Sequence, residues 1–352
     1  MKSSIRLILA FLLSAVASTA MSQDIYQIED EFERGRMMVR NKQFKQATAL
    51  WDSIIALNIT PDFKAKYLAL NGVLQRDSLK NREKAHEYFK RAVALYPEIY
   101  NMDSYLIETG VVLANQGLAA LADSAGQYAE AITQYEEAIK FISHLLTKGI
   151  VARGKTDDDL TVMLYSFQQG RAMEFGRNKQ FEDAEAAFEE LKFNYGKMEQ
   201  SSDNELVIQG WLFGCICRMQ YITMLRDEKK DIDRAYKETN LLIDKLLAGL
   251  SSDNTSIVEI LAMQMPMFMF ISAEVCLKAN DTDKALTLCE NALTWNSDKT
   301  LTPFIINLKG ETLLALNRTD KAKHCWEQVK KLKPDFYNNN NPGLVLRDKF
   351  GK

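Results

Sequence analysis

One spacing recurs along the chain and limits what it can fold into. An Ala is followed four positions later by a larger residue and three further on by a small or apolar one. The set runs Ala47, Trp51, Ile54; Ala85, Phe89, Ala92; Ala131, Tyr135, Ala138; Ala184, Phe188, Leu191; Ala235, Thr239, Leu242; Ala285, Cys289, Ala292; and Ala322, Trp326, Val329. Positions four and three apart share one face of a helix. The small residue lets a neighbouring helix come close, and the larger one fills the gap beyond it. Upstream of each anchoring Ala lies a second apolar-periodic stretch, so the unit is a helix-turn-helix hairpin. No run of Val, Ile and Thr alternates with period two between turn residues, so no sheet is expected. A single hairpin cannot cover its own apolar face, and stacking must do it. The reading is an all-α array of about seven hairpins.

Further regularities sharpen the unit. An aromatic stands three residues before the anchor at Phe44, Tyr128 and Phe181, and a Gly twelve before it at Gly35 and Gly310. Pro97 and Pro334 each follow the last patterned residue by five. RNKQF occurs at Arg40–Phe44 and Arg177–Phe181, and SSDN at Ser201–Asn204 and Ser251–Asn254. This pattern resembles the tetratricopeptide repeat, whose signature has Gly and aromatics on the first helix and Ala, an aromatic and Pro on the second. The resemblance spans about Ile28 to Pro334 and implies an α-solenoid. The anchors at 47, 85, 131, 184, 235, 285 and 322 are 38, 46, 53, 51, 50 and 37 residues apart. The family period is about 34, so the central hairpins are expected to be longer. Ser and Asp of the SSDN copies are expected to cap two of those long helices.

The resemblance also implies binding rather than catalysis, with first helices lining a groove for a protein or peptide segment. Carried over by position, the groove residues are Glu29, Phe32, Arg36 and Val39 in the first unit. In the sixth they are Met267, Phe270, Glu274 and Leu277, and in the seventh Phe304, Asn307, Glu311 and Leu314. The family subset that grips a C-terminal carboxylate uses Lys and Asn at such positions. Phe32 and Arg36 stand there in the first unit, so no carboxylate clamp is expected.

The ends read differently. Lys2 and Arg6 precede an apolar run from Leu7 to Ala17 and then the small residues Ser18, Ala20 and Ser22. That order describes a secretory signal over 1–22, which makes the protein exported, periplasmic or secreted. The solenoid is assigned 23–334 and a non-helical tail 335–352. Ile260–Ala273 is apolar but holds Gln264 and Pro266. It is shorter than the ~20 residues of a membrane span, so a buried helix is expected. Forty-four basic against 47 acidic residues, a net charge of −3, argue against a nucleic-acid partner.

Candidate chemistry is sparse. Gly149–Thr156, GIVARGKT, fits the phosphate-cradling G-x-x-x-x-G-K-[ST] pattern, which needs a strand before it and a helix after it. A helix precedes it here, and Asp157, Asp158 and Asp159 follow. The stretch is therefore expected to hold a left-handed cap at Gly149 and an N-cap at Thr156. His86, His144 and His324 have no partners at metal-ligand spacing. Cys276 and Cys289 are placed to face each other within one hairpin, either bridged or as buried thiols. No cofactor and no metal are expected. The function expected is a non-catalytic interaction scaffold. A structural subunit of an envelope assembly, bound through its ends or tail, and a nucleotide binder using Lys155 and Thr156 are the alternatives.

Overall fold

The computed structural model describes residues 30–336, apart from 58, 103, 105, 297 and 298. The signal-like segment, Glu29 and the tail from 337 onward lie outside the described residues. Helix α1 covers 30–40. It is followed by α2 (Phe44–Ile55), α3 (Pro61–Asp77), α4 (Arg82–Val93), α5 (Tyr96–Tyr100), β1 (Leu106–Ile107), α6 (Gly110–Ser124), α7 (Tyr128–Lys148) and β2 (Val151–Ala152). Then come α8 (Asp157–Arg177), α9 (Phe181–Met198), α10 (Asn204–Thr223), a π turn (Met224–Lys229), α11 (Ile232–Leu250), α12 (Thr255–Lys278), α13 (Thr282–Trp295), α14 (Thr302–Ala315) and α15 (Thr319–Leu332). The chain divides into two compact units, 1–167 and 168–352, with the boundary inside α8.

Seven hairpins are present among the described residues: α1/α2, α3/α4, α6/α7, α8/α9, α10/α11, α12/α13 and α14/α15. Every anchoring Ala is fully buried. The turns share one geometry that the sequence reading did not single out. A residue with positive φ stands five before each anchor: Lys42, Lys80, Gly126, Lys179, Lys230, Asn280 and Asn317. The next N–H reaches back to the first helix, as in Gln43 to Met38 O at 2.8 Å and Arg318 to Leu313 O at 2.8 Å. This is the left-handed helix cap, which satisfies carbonyls that a helix end leaves open. Four of the seven positions are Lys, which meets a steric cost there that Gly does not.

Close helix approach explains the glycines at both ends. A Cβ on Gly35 would lie 2.2 Å from Trp51 Nε1, and one on Gly310 would lie 2.6 Å from Trp326 Nε1. In unit 1, Phe89 is fully buried and fills the space left by both Gly72 and Gly117.

Unit 1 departs from the plain repeat by insertion. After α4 come α5 and β1, and β1 pairs in parallel with β2 through Leu106–Val151 and Ile107–Ala152. Two residues per strand are too few to print an alternation, which is why the expectation of no sheet failed here. The pairing continues as Arg153 N–H to Ile107 O at 2.8 Å. It fixes the phosphate-loop look-alike onto the loop before α6. Gly149 ends α7 with φ +64°. Thr156 N–H donates to Asp159 Oδ2 at 2.9 Å, and Asp159 N–H donates to Thr156 Oγ1 at 3.1 Å. That reciprocal pair is a capping box. The bonds that the Thr156 N–H and hydroxyl donate to Oδ2 hold the Asp159 carboxyl below its usual range.

Unit 2 departs by lengthening. Its first helices α10 and α12 have 20 and 24 residues. The two SSDN copies start them one residue out of register. Asp203 accepts from Glu205 and Leu206 N–H at the head of α10, while Asn254 accepts from Ser256 N–H at the head of α12. The expected Ser and Asp capping therefore holds for Asp203, and Asn replaces it at the second copy. Asn254 Nδ2 also donates to Asn204 Oδ1 at 2.6 Å, so the copies touch. Among the described residues α12 is the one helix long and apolar enough to cross a membrane. It lies against α10, α11 and α13 and buries Leu261, Met265, Phe268, Val275 and Cys276. All five cysteines are free and buried, Cys276 and Cys289 among them. Past α15 the chain turns back, and Phe336 is 4% exposed.

Candidate functional site

The groove positions carried over from the repeat fall on first helices in both units. In unit 1, Phe32 on α1 is half-buried and meets Tyr67 edge to face at 6.2 Å. Lys66 Nζ stands 4.3 Å from the Phe32 ring centre and Arg36 Cζ 5.7 Å from it. Arg36 is exposed and bonded to Glu33 at 2.8 Å. Val39 packs at the edge of the unit's core.

Beside Phe32 lies a charged cluster that sequence reasoning missed. Glu108 is 6% exposed. Its carboxylate meets Lys66 Nζ at 3.2 Å and Arg153 Nε at 3.4 Å. Burial pushes the Glu108 carboxyl up, the Lys66 charge opposes that, and nearby Asp62 adds to it. Arg153 also lies over Phe63, its Cζ 5.1 Å from the ring centre. The partners come from positions 66, 108 and 153, and only the β1–β2 pairing brings them together.

In unit 2 the positions separate into two kinds. Met267 and Phe304, each eighteen residues before its anchor, are 40% and 39% exposed. Phe270 and Leu277 are half-buried against the core formed by Ala273, Cys276, Ala285 and Ile305. Leu314 packs likewise beside Leu313 and Ala322. Phe304 meets Phe336 edge to face at 5.0 Å, and Lys333 Nζ lies 5.0 Å from the Phe304 ring centre.

The polar positions are Glu274, Asn307 and Glu311. Glu274 accepts from Arg226, which is 7% exposed and also bonded to Asp227. Arg226 sits in the π turn, where one extra residue per turn re-aims side chains. The turn shows in the backbone bond from Asp231 N–H to Leu225 O, which spans six residues where Asp281 to Cys276 spans five. Asn307 Nδ2 donates to Glu311 Oε1 at 2.8 Å. Burial pushes the Glu311 carboxyl above the usual carboxylate range; Asn307 opposes the shift and the Glu274 charge adds to it.

Elsewhere, a cavity of about 600 Å³ opens beside Tyr100, Met102, His144 and Lys148 in unit 1. Another of about 500 Å³ opens between α13, α14 and α15 in unit 2. Among the described residues no group of three His, Cys, Asp or Glu is assembled that could hold a metal.

Stacked antiparallel hairpins with small anchors and left-handed turns define an α-helical repeat protein. Residues 305–336, covering nearly all of α14 and α15, match the family model described as tetratricopeptide repeat. A tetratricopeptide repeat protein from Parabacteroides merdae superposes with a TM-score of 0.51 at 14% identity, over 91% of this chain and 96% of that one. The apo form of the quorum sensor NprR from B. thuringiensis does so with a TM-score of 0.52 at 10% identity, over 92% of this chain and 82% of that one. No curated protein matches the chain by sequence. At these identities the likeness is one of fold, and the chain is a protein of the tetratricopeptide-repeat fold.

Proposed function

We propose that the chain is a non-catalytic interaction scaffold, exported from the cytoplasm, that holds a segment of another protein against the first-helix face of α12 and α14. The observation that carries this is the pair Met267 and Phe304. They occupy the same register in successive hairpins and keep about two-fifths of their surface exposed, while their neighbours Phe270 and Leu277 are drawn into the core. Met and aromatic side chains are suited to such contact. Covering both would favour association by roughly 3–6 kcal/mol gross, and lost translational and side-chain freedom offsets most of it. Polar groups on the same face must therefore contribute.

The scaffold reading draws further support from what became of the candidate chemistry. Gly149 and Thr156 are used as helix caps. The thiols of Cys215, Cys217 and Cys289 are pushed up to about 12 by burial, which leaves little thiolate at neutral pH.

The test is brief cross-linking of the purified chain in an extract of its own envelope, beside a Met267→Asn/Phe304→Asn double variant of unchanged helicity. Loss of one dominant protein with the variant is the expected result. Equal capture by both would move the binding surface away from this face. Export is checked by N-terminal sequencing of the protein from cells, where a start near Gln23 is expected and a retained Met1 would refute it.

A further inference from the structure

Glu274 and Glu311 stand at one register, each eleven residues before its anchor, Ala285 and Ala322. Their polar partners differ. Glu274 is bonded to the buried guanidinium of Arg226, supplied by the preceding hairpin. Among the described residues Glu311 accepts from Asn307 alone, and the charge facing it is that of Glu274. On its own hairpin Lys309 is paired with Glu290 at 2.9 Å, and Lys333 is placed over the rings of Phe304 and Phe336. A half-buried carboxylate next to a second acid is costly when it has no cation. Such groups concentrate at functional sites.

The chemistry of Glu311 limits what it can receive. One carboxylate and one amide supply too few oxygens for calcium, which takes six to eight, and Glu274 is already bonded to Arg226. Apolar surface lies along the same face, with Phe304 seven residues before Glu311 and with Met267 and Phe270 on α12. A ligand that uses both features carries a cation beside apolar groups on an extended backbone. The molecule already contains the arrangement once, in the Arg226 guanidinium on Glu274.

We propose that Glu311 receives a Lys or Arg side chain of the bound segment, whose apolar neighbours cover Met267 and Phe304. This rests on the groove reading above and names the chemistry of its partner.

The experiment pans a displayed library of random dodecapeptides on the full chain, on Glu311→Gln and on Met267→Asn. Each protein is first checked for unchanged helicity. Peptides enriched on the wild-type chain are expected to place Lys or Arg next to apolar residues. Replacing that cation by Gln in one synthetic peptide should weaken binding about 10-fold or more. On Glu311→Gln the same replacement should change binding less than about 2-fold. Enrichment that Met267→Asn removes but that shows no basic preference would overturn the inference and leave the groove standing. Basic peptides bound equally by Glu311→Gln would overturn it too. No enrichment, or enrichment indifferent to both variants, would overturn the groove and the inference together.

Discussion

Glu108 in unit 1 and Glu311 in unit 2 are both acids pushed up by burial, yet they are built in opposite ways. Glu108 is met by two cations from distant parts of the chain, Lys66 and Arg153. Those cations are themselves seated over Phe32 and Phe63. Glu311 is met by an amide and faces an acid. The first is an internal joint, since it ties α3 to the loop before α6 and to the β2 staple. The second lies on a face that also exposes Met267 and Phe304. Burial alone therefore does not distinguish the two carboxylates; the sign of their neighbours does.

The largest effect should come from cutting the joint. Glu108→Ala is expected to cost about 2–4 kcal/mol in urea unfolding at pH 7, because the partly buried Lys66 and Arg153 both lose their carboxylate partner. A cost below about 0.5 kcal/mol would show that the pairing is not structural. Lys66→Met should cost less, about 1–2 kcal/mol, since Arg153 remains on Glu108.

Glu311→Gln should act with the opposite sign and gain up to about 1 kcal/mol at pH 7. The folded-state pKa of Glu311 is raised. Its favourable contribution is thus present below the unfolded carboxyl value of 4.5 and is lost as pH rises through the folded value. The advantage of Gln should accordingly appear at neutral pH and vanish below about pH 4.5. A variant equally stabilised at pH 4 and pH 7 would contradict this.

The smallest effect serves as the control. Lys80→Gly in unit 1 and Lys230→Gly in unit 2 relieve the same left-handed backbone, φ 55° and 62°. Each should gain about 0.5–1 kcal/mol. Unequal gains would mean that the units differ in more than their carboxylates.

Much of this architecture was legible in the sequence because it is periodic. Seven Ala anchors predicted seven hairpins, and the recurring Gly35 and Gly310 mark the places where Trp51 and Trp326 approach the first helices. Features that depend on one residue more or less were not. The SSDN copies cap through different residues, and the π turn adds one residue beneath Arg226. The β1–β2 pair is two residues long and carries no pattern. Pairings across 42 to 48 positions, such as Lys66–Glu108 and Arg226–Glu274, exist only once helices are stacked. The difference between Glu274 and Glu311 therefore had no trace in their identical register.

The placement of the cysteines gives unit 2 a built-in clock. All five, at 215, 217, 276, 289 and 325, fall in unit 2, and unit 1 has none. Their burial makes alkylation at neutral pH wait for local opening. Mass spectrometry of labelled peptides would time α10, α12, α13 and α15 separately in the unaltered chain. Unit 1 instead carries one tryptophan of the four, Trp51, buried against Gly35. Trp211, Trp295 and Trp326 lie in unit 2, so indole fluorescence follows both units together, while the thiols follow unit 2 by itself with no residue introduced.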